Sequence, residues 1–502
     1  MKKKNLFQVV ISILTLLVVF IGPVRTVFAA DDVDAKNVDV TINKRIWDEG
    51  QTPKDIQNTG ETMDFGGRAL NGSEFTVYDV TEKYYELIKN SDQKTVIAAI
   101  QSDAEAVAPT YAKEVVGVDA IVTAGQGQAK FANLPLKNSD GQYNVYLFVE
   151  TKTPNNVTVT KRAVPMVVAM PIYKLDVNQK PTDAINTNIQ LYPKNETAKD
   201  AKEFSNLGQF NQVTVNGTTF ANVTTGDILN YKLTVNIPAN IGDINAVTSY
   251  IINDEPSPGL ALVAGTVEVV NLEKDTDYTI TEHDRGFTVK LNLDSVAVKD
   301  LAGQKLQLTY NMTLTATVDP DALQRNYASV QINNDTKQEI TPPTPVGTGG
   351  YQFVKKDAQT GKRLKGAEFV VTNEDQTKFA EFTTNSKNEY VFSKWVDSTT
   401  PTSGTKIVSD DDGSIKVIGL TNGNYVLNET KTPSSDYVIL KDGTIKFTVE
   451  HGKYAISNLD VANTPKGLLP STGGAGIILF VALGAAMVGL AGVYFTSRRK
   501  DS

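Results

Sequence analysis

Apolar and polar residues alternate along most of the chain, in short runs separated by turn-forming residues. Between about Val33 and Asn463 these runs end in clusters of Gly, Asn, Asp and Pro. Side chains on a β-strand point alternately to opposite faces, so a period of two predicts strands with one buried face. Repeated short strands of this kind are typical of β-sandwiches. The clearest runs are residues 143–149, 213–219, 229–237, 287–293, 306–318 and 445–449.

The stretch from Thr81 to Gln101 departs from this alternation. Its apolar residues recur at intervals of three and four, which is the spacing of one helix face. We therefore expect one or two short helices inserted in the first domain. The pattern is carried by Tyr84, Leu87, Ile88, Val96, Ile97 and Ile100.

The N-terminus carries a targeting signal. Three lysines follow Met1, an apolar run extends from Val9 to Ile21, and small residues stand at Ala29 and Ala30. This order describes a secretory signal peptide over residues 1–30, cleaved after Ala29 or Ala30.

The C-terminus carries a second signal. An apolar segment from Ala475 to Phe495 is long enough to cross a bilayer, and the basic residues 498–500 that follow it are typical of the cytoplasmic side. The pentapeptide Leu469-Pro470-Ser471-Thr472-Gly473 stands directly before it. This arrangement resembles the LPxTG sorting signal of sortase substrates, which we assign to residues 465–502. The resemblance implies that a sortase cuts between Thr472 and Gly473 and passes the Thr472 carbonyl to an amine, the span being a transient membrane anchor.

Composition excludes several kinds of chemistry. The chain has 502 residues, a net charge of −8 and no cysteine, so disulfides, thiolate metal sites and cysteine nucleophiles are ruled out. Its two histidines, His283 and His451, lie far apart, which argues against Ser-His-Asp hydrolysis and histidine metal centres. No basic block suggests nucleic-acid binding. We expect no cofactor, no metal and no enzymatic turnover.

An internal repeat divides the chain. Residues 148–154 echo 427–433, and residues 69–75 echo 363–369 in the same order. The segments around 193–199 and 341–350 are expected to be linkers. We therefore predict three domains, over residues 31–195, 196–342 and 350–464, of which the first and third are homologous.

Strand parity places charged residues on apolar faces. Lys44 has the same parity as Val38, Val40 and Ile42 and so shares their face of the strand, and Lys355 likewise shares a face with Tyr351 and Phe353. Glu429 and Asn463 also share parity with apolar neighbours in the third domain. A lysine can instead extend its ammonium to solvent at a strand end, and parity alone leaves that reading open. If Lys355, Glu429 and Asn463 are buried together, however, desolvation favours a neutral lysine and a protonated acid. The amine could then attack the Asn carboxamide, giving a Lys–Asn isopeptide bond and ammonia.

These residues resemble those of sortase-assembled pilin subunits of Gram-positive bacteria, whose Cna-B-type domains contain such bonds. The run Tyr425-x-Leu427-x-Glu429-Thr430-x-x-Pro433 matches the family's E-box. The resemblance implies that Lys355 and Asn463 are the bonded partners and Glu429 the catalytic acid. Lys44 and Glu150 match the same roles in the first domain.

Residues Tyr192-Pro193-Lys194-Asn195 resemble the core of the family's pilin motif. The tryptophan that the family often carries upstream is replaced here by Ile185 or a neighbour. The resemblance implies that Lys194 accepts the sortase-bound threonine of the next subunit. Parity predicts that Lys194 is exposed and that Asn195 faces inward, as the acceptor for Lys44.

The middle domain resembles the family's Cna-A-like module. Lys202 and Asn326 are its candidate partners, with Lys199 as an alternative lysine. The acid is either Asp254 or Asp227, of which Asp254 fits the usual position better.

Together these features predict an all-β chain of three tandem Ig-like (Cna-A/Cna-B-type) sandwiches. The resemblance implies the backbone subunit of a covalently polymerised pilus on the wall of a Gram-positive bacterium. Its implied partners are identical subunits, pilus and housekeeping sortases, minor tip and basal pilins, and peptidoglycan. Two alternatives are a wall-anchored adhesin or minor pilin that binds host matrix, and a secreted surface hydrolase, which the scarce histidines disfavour.

Overall fold

The computed structural model describes residues 35–467, apart from 55, 106–107, 155, 245, 334, 398–403 and 440–442, together with residues 481–491. Within them most of the regular secondary structure is β-strand, which confirms the predicted all-β class. Strand β24 (Lys305–Leu314) shows why, because its even-numbered positions are all buried while Lys305 and Gln307 are exposed. Alternation of this kind gives each strand one face for a core.

Between residues 35 and 197, the described residues form fourteen strands and the two predicted helices. Asp92 caps the second helix by accepting a hydrogen bond from the Thr95 N–H at 3.1 Å. Val96, Ile97 and Ile100 of that helix are buried, which confirms the helical periodicity. The elements are β1 (Asn37–Asn43), β2 (Arg45–Asp48), β3 (Arg68–Ala69), β4 (Glu74–Asp79), α1 (Thr81–Leu87), α2 (Gln93–Asp103), β5 (Lys113–Glu114), β6 (Ile121–Val122), β7 (Gln128–Pro135), β8 (Val145–Lys152), β9 (Val159–Lys161), β10 (Met166–Ala169), β11 (Tyr173–Leu175), β12 (Pro181–Ile185), β13 (Asn188–Leu191) and β14 (Lys194–Thr197).

These strands form several small sheets around a core that includes Val40, Phe131 and Phe148. Their orders are β13-β1-β7, β10-β8-β4-β5 with β6 on β4, β11-β12, and β3-β2-β14-β9. The last strands, β13 and β14, pair in parallel with the first, β1 and β2. The segment 193–199 is therefore not the linker predicted from its proline, because Lys194–Thr197 is held as a strand against Arg45–Asp48.

The region from 201 to 347 has its own core, which includes Tyr250, Phe287 and Leu308. The elements are β15 (Ala201–Phe204), a 3-10 turn (Leu207–Gln209), β16 (Gln212–Val215), β17 (Thr218–Asn222), β18 (Leu229–Asn236), β19 (Tyr250–Pro256), β20 (Leu260–Leu262), β21 (Glu268–Val269), β22 (Tyr278–Glu282), β23 (Phe287–Leu291), α3 (Val296–Lys299), β24 (Lys305–Leu314), β25 (Asn326–Ile332), β26 (Gln338–Ile340) and β27 (Val346–Gly347). The sheets run β15-β18-β24-β20 with β21 on β24, β16-β17-β27, and β22-β23-β19-β25-β26.

The strands of the region from 349 to 465 are β28 (Gly349–Asp357), β29 (Glu368–Asn373), β30 (Lys378–Thr384), β31 (Tyr390–Asp397), β32 (Ile407–Val408), β33 (Ser414–Leu420), β34 (Gly423–Lys431), β35 (Tyr437–Val438), β36 (Thr444–Val449) and β37 (Leu459–Pro465). They form one hydrogen-bonded sheet in the order β35-β37-β28-β33-β31-β30-β29-β34-β36, with β32 on β29. Phe353 and Phe447 lie on strands far apart in this order, yet their ring centroids are 4.9 Å apart. The sheet therefore folds over on itself and encloses a core.

Contacts divide the chain into two compact units. One holds the chain up to residue 223, with 227–319 and 323–347, and the other holds 224–226, 320–322 and the chain from 348 onward. The predicted linker 341–350 is not free of strands, since Val346–Gly347 pairs with Ala221–Asn222 and β28 begins at Gly349.

The predicted targeting signals lie mostly outside the described residues. This holds for the signal peptide 1–30, for Leu469–Gly473, and for most of the apolar segment 475–495. Residues 481–491 are helical. Among the described residues, no helix has both the length and the apolar character needed to span a membrane.

Candidate functional site

The first predicted set of side chains, Lys44, Glu150 and Asn195, meets in the core. Lys44 lies between β1 and β2, and the parallel pairing of Asn195 with Ile46 brings β14 alongside. The Lys44 Nζ is 2.5 Å from Asn195 Oδ1 and 3.0 Å from Glu150 Oε2. The other carboxylate oxygen, Oε1, accepts a hydrogen bond from Asn195 Nδ2 at 3.0 Å. The acid therefore touches both the amine and the amide nitrogen.

Burial controls the charge of this lysine. Lys44 and Asn195 are fully buried, and the lysine ammonium lies 5.4 Å from the centre of the Phe75 ring. Burial lowers the pKa of Lys44 to about 8, although Glu150 opposes the shift. A neutral amine is therefore accessible near neutral pH, and a neutral amine is the nucleophile that the chemistry requires.

The third-domain set, Lys355, Glu429 and Asn463, resembles the first in the position of its acid. Strands β28 and β37 run parallel, with Lys355 opposite Val461 and Asp357 opposite Asn463. The Lys355 Nζ lies 3.0 Å from Glu429 Oε1, and Asn463 Nδ2 donates to Glu429 Oε2 at 2.9 Å. Lys355 and Asn463 are fully buried, and burial lowers the pKa of Lys355. Again one carboxylate lies between an amine and an amide.

The middle set is assembled differently. Lys202 on β15 has its Nζ 2.5 Å from Asp254 Oδ2, and both side chains are fully buried. Asn326, at the start of β25, is also buried, but its Nδ2 donates to the hydroxyl of Tyr310 at 3.3 Å. That hydroxyl in turn donates to Asp254 Oδ2 at 2.5 Å. Tyr310 therefore belongs to this site, although its parity with Leu308 and Met312 identifies it only as a core residue.

Burial shifts both charged groups of the middle set toward neutrality. It lowers the pKa of Lys202 to about 8, and it raises the pKa of Asp254 against the opposing effect of Lys202. The alternatives lie elsewhere: Lys199 is exposed, and Asp227 is only partly buried, in the turn before β18.

The sequence-based prediction that Lys194 is exposed is wrong in degree. Lys194 is only partly exposed, because the segment between β2 and β3 folds over it. Its ammonium donates to the carbonyl oxygens of Pro53 at 2.8 Å and Ile56 at 3.1 Å, and lies 5.0 Å from the centre of the Phe65 ring. The alternation pattern does not mark this covering segment, because the hydrogen bonds that it offers Lys194 come from backbone carbonyls.

Polar contacts fix the covering segment to the strand that carries the lysine. Asn58 Oδ1 accepts a hydrogen bond from the Tyr192 N–H at 2.6 Å, and the Tyr192 hydroxyl accepts one from the Met63 N–H at 3.1 Å. The Tyr192 ring also stacks on Phe65, with centroids 5.0 Å apart. Beside Lys194 lies a cleft lined by Thr52, Ile56, Gln101, Arg162, Tyr192 and Glu196, among others.

Neighbouring residues on β14 therefore face two environments. Asn195 points into the buried set, whereas Lys194 points to the cleft under the covering segment. Strand geometry produces this division, because successive side chains alternate between faces. One amide and one amine on adjacent residues are therefore held in different surroundings.

Comparisons with known proteins agree with this architecture. A model described as the Gram-positive pilin subunit D1, N-terminal domain, matches residues 35–196. A prealbumin-like fold domain matches residues 349–463, and an LPXTG cell wall anchor motif matches residues 462–502.

Individual proteins resemble parts or all of the chain. The trypsin-resistant surface T6 protein of Streptococcus pyogenes serotype M6 is 30% identical over 181 residues, which is 34% of this chain and 32% of that protein. The match thus spans about a third of this relative. The full-length RrgB pilus protein from Streptococcus pneumoniae matches with a TM-score of 0.53 at 18% identity, over 88% of this chain and all of that one. The major pilin SpaD from Corynebacterium diphtheriae matches at 22% identity with a TM-score of 0.44, over 86% and 98% of the two chains. The RrgB likeness shows a shared fold.

Proposed function

We propose that the chain is the shaft subunit of a Gram-positive surface pilus. It matches a Gram-positive pilin D1 domain, a prealbumin-like domain and an LPXTG anchor, which are the features of a wall-anchored pilin. In this proposal a pilus sortase joins Thr472 of one subunit to Lys194 of the next. A housekeeping sortase then attaches the polymer to peptidoglycan, and minor pilins occupy its tip and base. One acceptor and one donor in each subunit give an open, head-to-tail filament.

The placement of Lys194 carries this proposal. Its side chain leaves the core beside a cleft, while the rest of its strand is fixed by Asn195 and by pairing with β2. An amine that attacks an acyl-enzyme must be positioned and must lose its proton. The carbonyl groups of Pro53 and Ile56 hold the ammonium in place, and the covering segment has to release it before attack.

The second part of the proposal is three intramolecular isopeptide bonds, Lys44–Asn195, Lys202–Asn326 and Lys355–Asn463. In each, the neutral lysine nitrogen attacks the asparagine Cγ, so that a new C–N bond forms and the bond to Nδ2 breaks. The proton lost by the lysine nitrogen passes through the acid to Nδ2, which leaves as ammonia. Glu150, Asp254 and Glu429 are the acids. Each bond forms once, so the chain has no turnover.

Distances favour this reaction in the first set. The Lys44 nitrogen is 2.5 Å from Asn195 Oδ1, and a C=O bond is about 1.2 Å, so the Asn195 Cγ lies within about 3.7 Å of the nucleophile. Reacting atoms about 3–3.5 Å apart are typical of productive geometry. The separate hydrophobic cores support three modules, with proposed limits at residues 31–195, 196–342 and 350–464.

Polymerisation tests the shaft assignment. We expect Lys194→Ala to abolish the high-mass ladder that wall extracts show on denaturing gels, because the acceptor amine is gone. Lys199→Ala is the matched control, since Lys199 is exposed a few residues away, and its ladder should match the wild type. A ladder that persists in Lys194→Ala would exclude Lys194 as the linker, and a minor pilin or adhesin would then be favoured.

Intact mass tests the internal bonds. In chains purified from a sortase-deficient strain, the mass should fall short of the sequence mass by one ammonia for each bond. Peptide mapping should show the three lysine–asparagine pairs as branched peptides. A chain with no mass deficit would refute this part of the proposal without touching the assignment of Lys194.

A further inference from the structure

The middle set differs from the other two in the reach of its acid. Glu150 uses one carboxylate oxygen for its lysine and the other for the amide nitrogen of Asn195. Glu429 divides its oxygens in the same way between Lys355 and Asn463. The middle acid is an aspartate, which is one methylene shorter. Asn326 lies near enough to Asp254 to lower its pKa, but the 3.3 Å hydrogen bond that its Nδ2 donates goes to the hydroxyl of Tyr310.

The hydroxyl of Tyr310 connects the carboxylate of Asp254 to the amide of Asn326. Asp254 Oδ2 accepts hydrogen bonds from Lys202 Nζ and from the Tyr310 hydroxyl, both at 2.5 Å. The Tyr310 oxygen also accepts a hydrogen bond from Asn326 Nδ2 at 3.3 Å. A continuous path of polar atoms therefore joins the attacking nitrogen to the leaving nitrogen, in the order Nζ, Oδ2, tyrosine oxygen, Nδ2.

The Tyr310 hydroxyl is buried among aromatic rings and the side chains of the reacting set. Tyr310 is 2% exposed, and its ring packs edge-on against Phe287 at 4.8 Å and stacks on Tyr231 at 5.9 Å. Burial raises the pKa of Tyr310 well above its ordinary value, so the phenol keeps its proton. A neutral hydroxyl can donate one proton while it accepts another, which is what a relay needs. Both of its hydrogen bonds go to members of the reacting set.

We propose that Tyr310 is a catalytic residue of the middle domain, carrying the proton from Asp254 to the departing amide nitrogen of Asn326. This inference rests on the proposed Lys202–Asn326 bond. It replaces the direct carboxyl–amide contact of the other two sets with a contact through one hydroxyl.

The proposed step balances. The Lys202 nitrogen bonds to the Asn326 Cγ and gives a proton to Asp254 Oδ2. The acid passes a proton to the Tyr310 oxygen as that hydroxyl gives its own proton to Nδ2. The bond between Cγ and Nδ2 then breaks, ammonia leaves, and both Asp254 and Tyr310 return to their starting states.

Tyr310→Phe removes the hydroxyl and keeps the ring. In the full chain from a sortase-deficient strain, we expect the Lys202–Asn326 bond to form about 10²–10⁴-fold more slowly, the usual contribution of a positioned acid–base group. Intact mass followed over time should show a population that retains one extra ammonia. Tyr231→Phe is the matched control, because Tyr231 is buried beside Tyr310 and has no hydrogen bond to the set. It should form the bond at the wild-type rate.

A second variant separates catalysis from packing. In Tyr310→Phe with Asp254→Glu, the longer acid can reach Asn326 directly, as in the first and third sets, and bond formation should recover. In a Lys202→Ala background, where the bond cannot form, Tyr310→Phe should change the melting temperature by only a few degrees.

Each result bears on one claim. If the wild-type chain keeps its Lys202 and Asn326 side chains unlinked, the proposed bond itself fails. If the wild type is linked and Tyr310→Phe links equally fast, only the role of Tyr310 fails. Slow linkage that the longer acid does not rescue, or a large loss of stability in the Lys202→Ala background, would identify Tyr310 as a packing residue and overturn the relay.

Discussion

The most direct test of the third-domain chemistry is Glu429→Gln. Gln has nearly the same volume as Glu but cannot supply or relay a proton, so we expect Lys355 and Asn463 to remain unlinked. The structure supports a clean comparison, because Glu429 is buried between the two partners and its replacement leaves no unpaired carboxylate beside Lys355. Glu450→Gln is the control, since Glu450 is exposed on the same domain.

The magnitude follows from the loop that the bond closes. A link from residue 355 to residue 463 encloses about 110 residues, and a cross-link of that size restricts the unfolded chain by about 4.7 kcal/mol at 25 °C in the chain-entropy treatment. Unfolding entropy near 2.1 cal/mol/K per residue, over about 115 residues, converts this to a fall in melting temperature of about 20 °C.

Calorimetry and intact mass of the same samples make the assay. The Glu429→Gln chain should retain one more ammonia than the wild type, and one unfolding transition should move down by about 20 °C. The Glu450→Gln chain should match the wild type in both. Loss of the bond without a fall in the melting temperature would refute the stabilisation argument. An unchanged mass would remove Glu429 from the chemistry.

Three further predictions concern the first domain. In the unlinked variant Asn195→Ala, the free energy of unfolding should rise between about pH 8 and pH 10.5, because the unfolded chain still binds the proton that buried Lys44 has released. Urea titrations should show that this rise disappears when Lys44→Met is added. A free energy of unfolding that falls over this pH range would contradict the lowered pKa of Lys44. Lys194→Ala should lower the free energy of unfolding measured in urea by about 1–3 kcal/mol, because it removes two ammonium–carbonyl hydrogen bonds and the Phe65 contact. The mass deficit from the internal bonds should not change. An unchanged free energy of unfolding would mean that the lysine does not hold the covering segment. Asn58→Ala should speed tryptic cleavage after Lys54 relative to Gln57→Ala, because the Asn58 side chain accepts a hydrogen bond from the Tyr192 N–H that helps to hold the segment in place, and equal cleavage would contradict that role.

Parity reasoning from the sequence predicted much of the internal sets. Lys355, Glu429 and Asn463 lie at strand positions where alternation requires a buried side chain, so the sequence contains the signal. The same holds for the opposite directions of Lys194 and Asn195. Which strands become neighbours is a property of topology, and there the internal repeat and the family resemblance supplied what alternation alone does not.

Two features could not be read from the pattern. Tyr310 alternates with leucine and methionine as any core aromatic residue does, and its role depends on an oxygen that a hydropathy pattern does not register. The covering segment hydrogen-bonds Lys194 through backbone carbonyls, which every residue has, and the Phe65 ring adds an aromatic contact. A polar atom on an apolar face is the one sign that would have drawn attention to Tyr310.

The adjacency of Lys194 and Asn195 has a mechanical consequence. With the proposed links in place, force that enters a subunit at Lys194 and leaves at Thr472 follows the shortest covalent route. That route passes from 194 to 202, crosses to 326, runs to 355, crosses to 463 and ends at 472. Only about 49 residues lie on it, and they span roughly 160 Å when straightened.

The first domain is not on that route. In the proposed pilus the residues before Lys194 would lie off this covalent route, so the proposed Lys44–Asn195 link would carry none of the pull. The proposed middle and third links would bypass most of their domains and keep them folded under force, whereas the first would fix the strand that carries the acceptor lysine. When a filament is stretched, the segments between its domains should therefore extend, and no tension should reach the first domain.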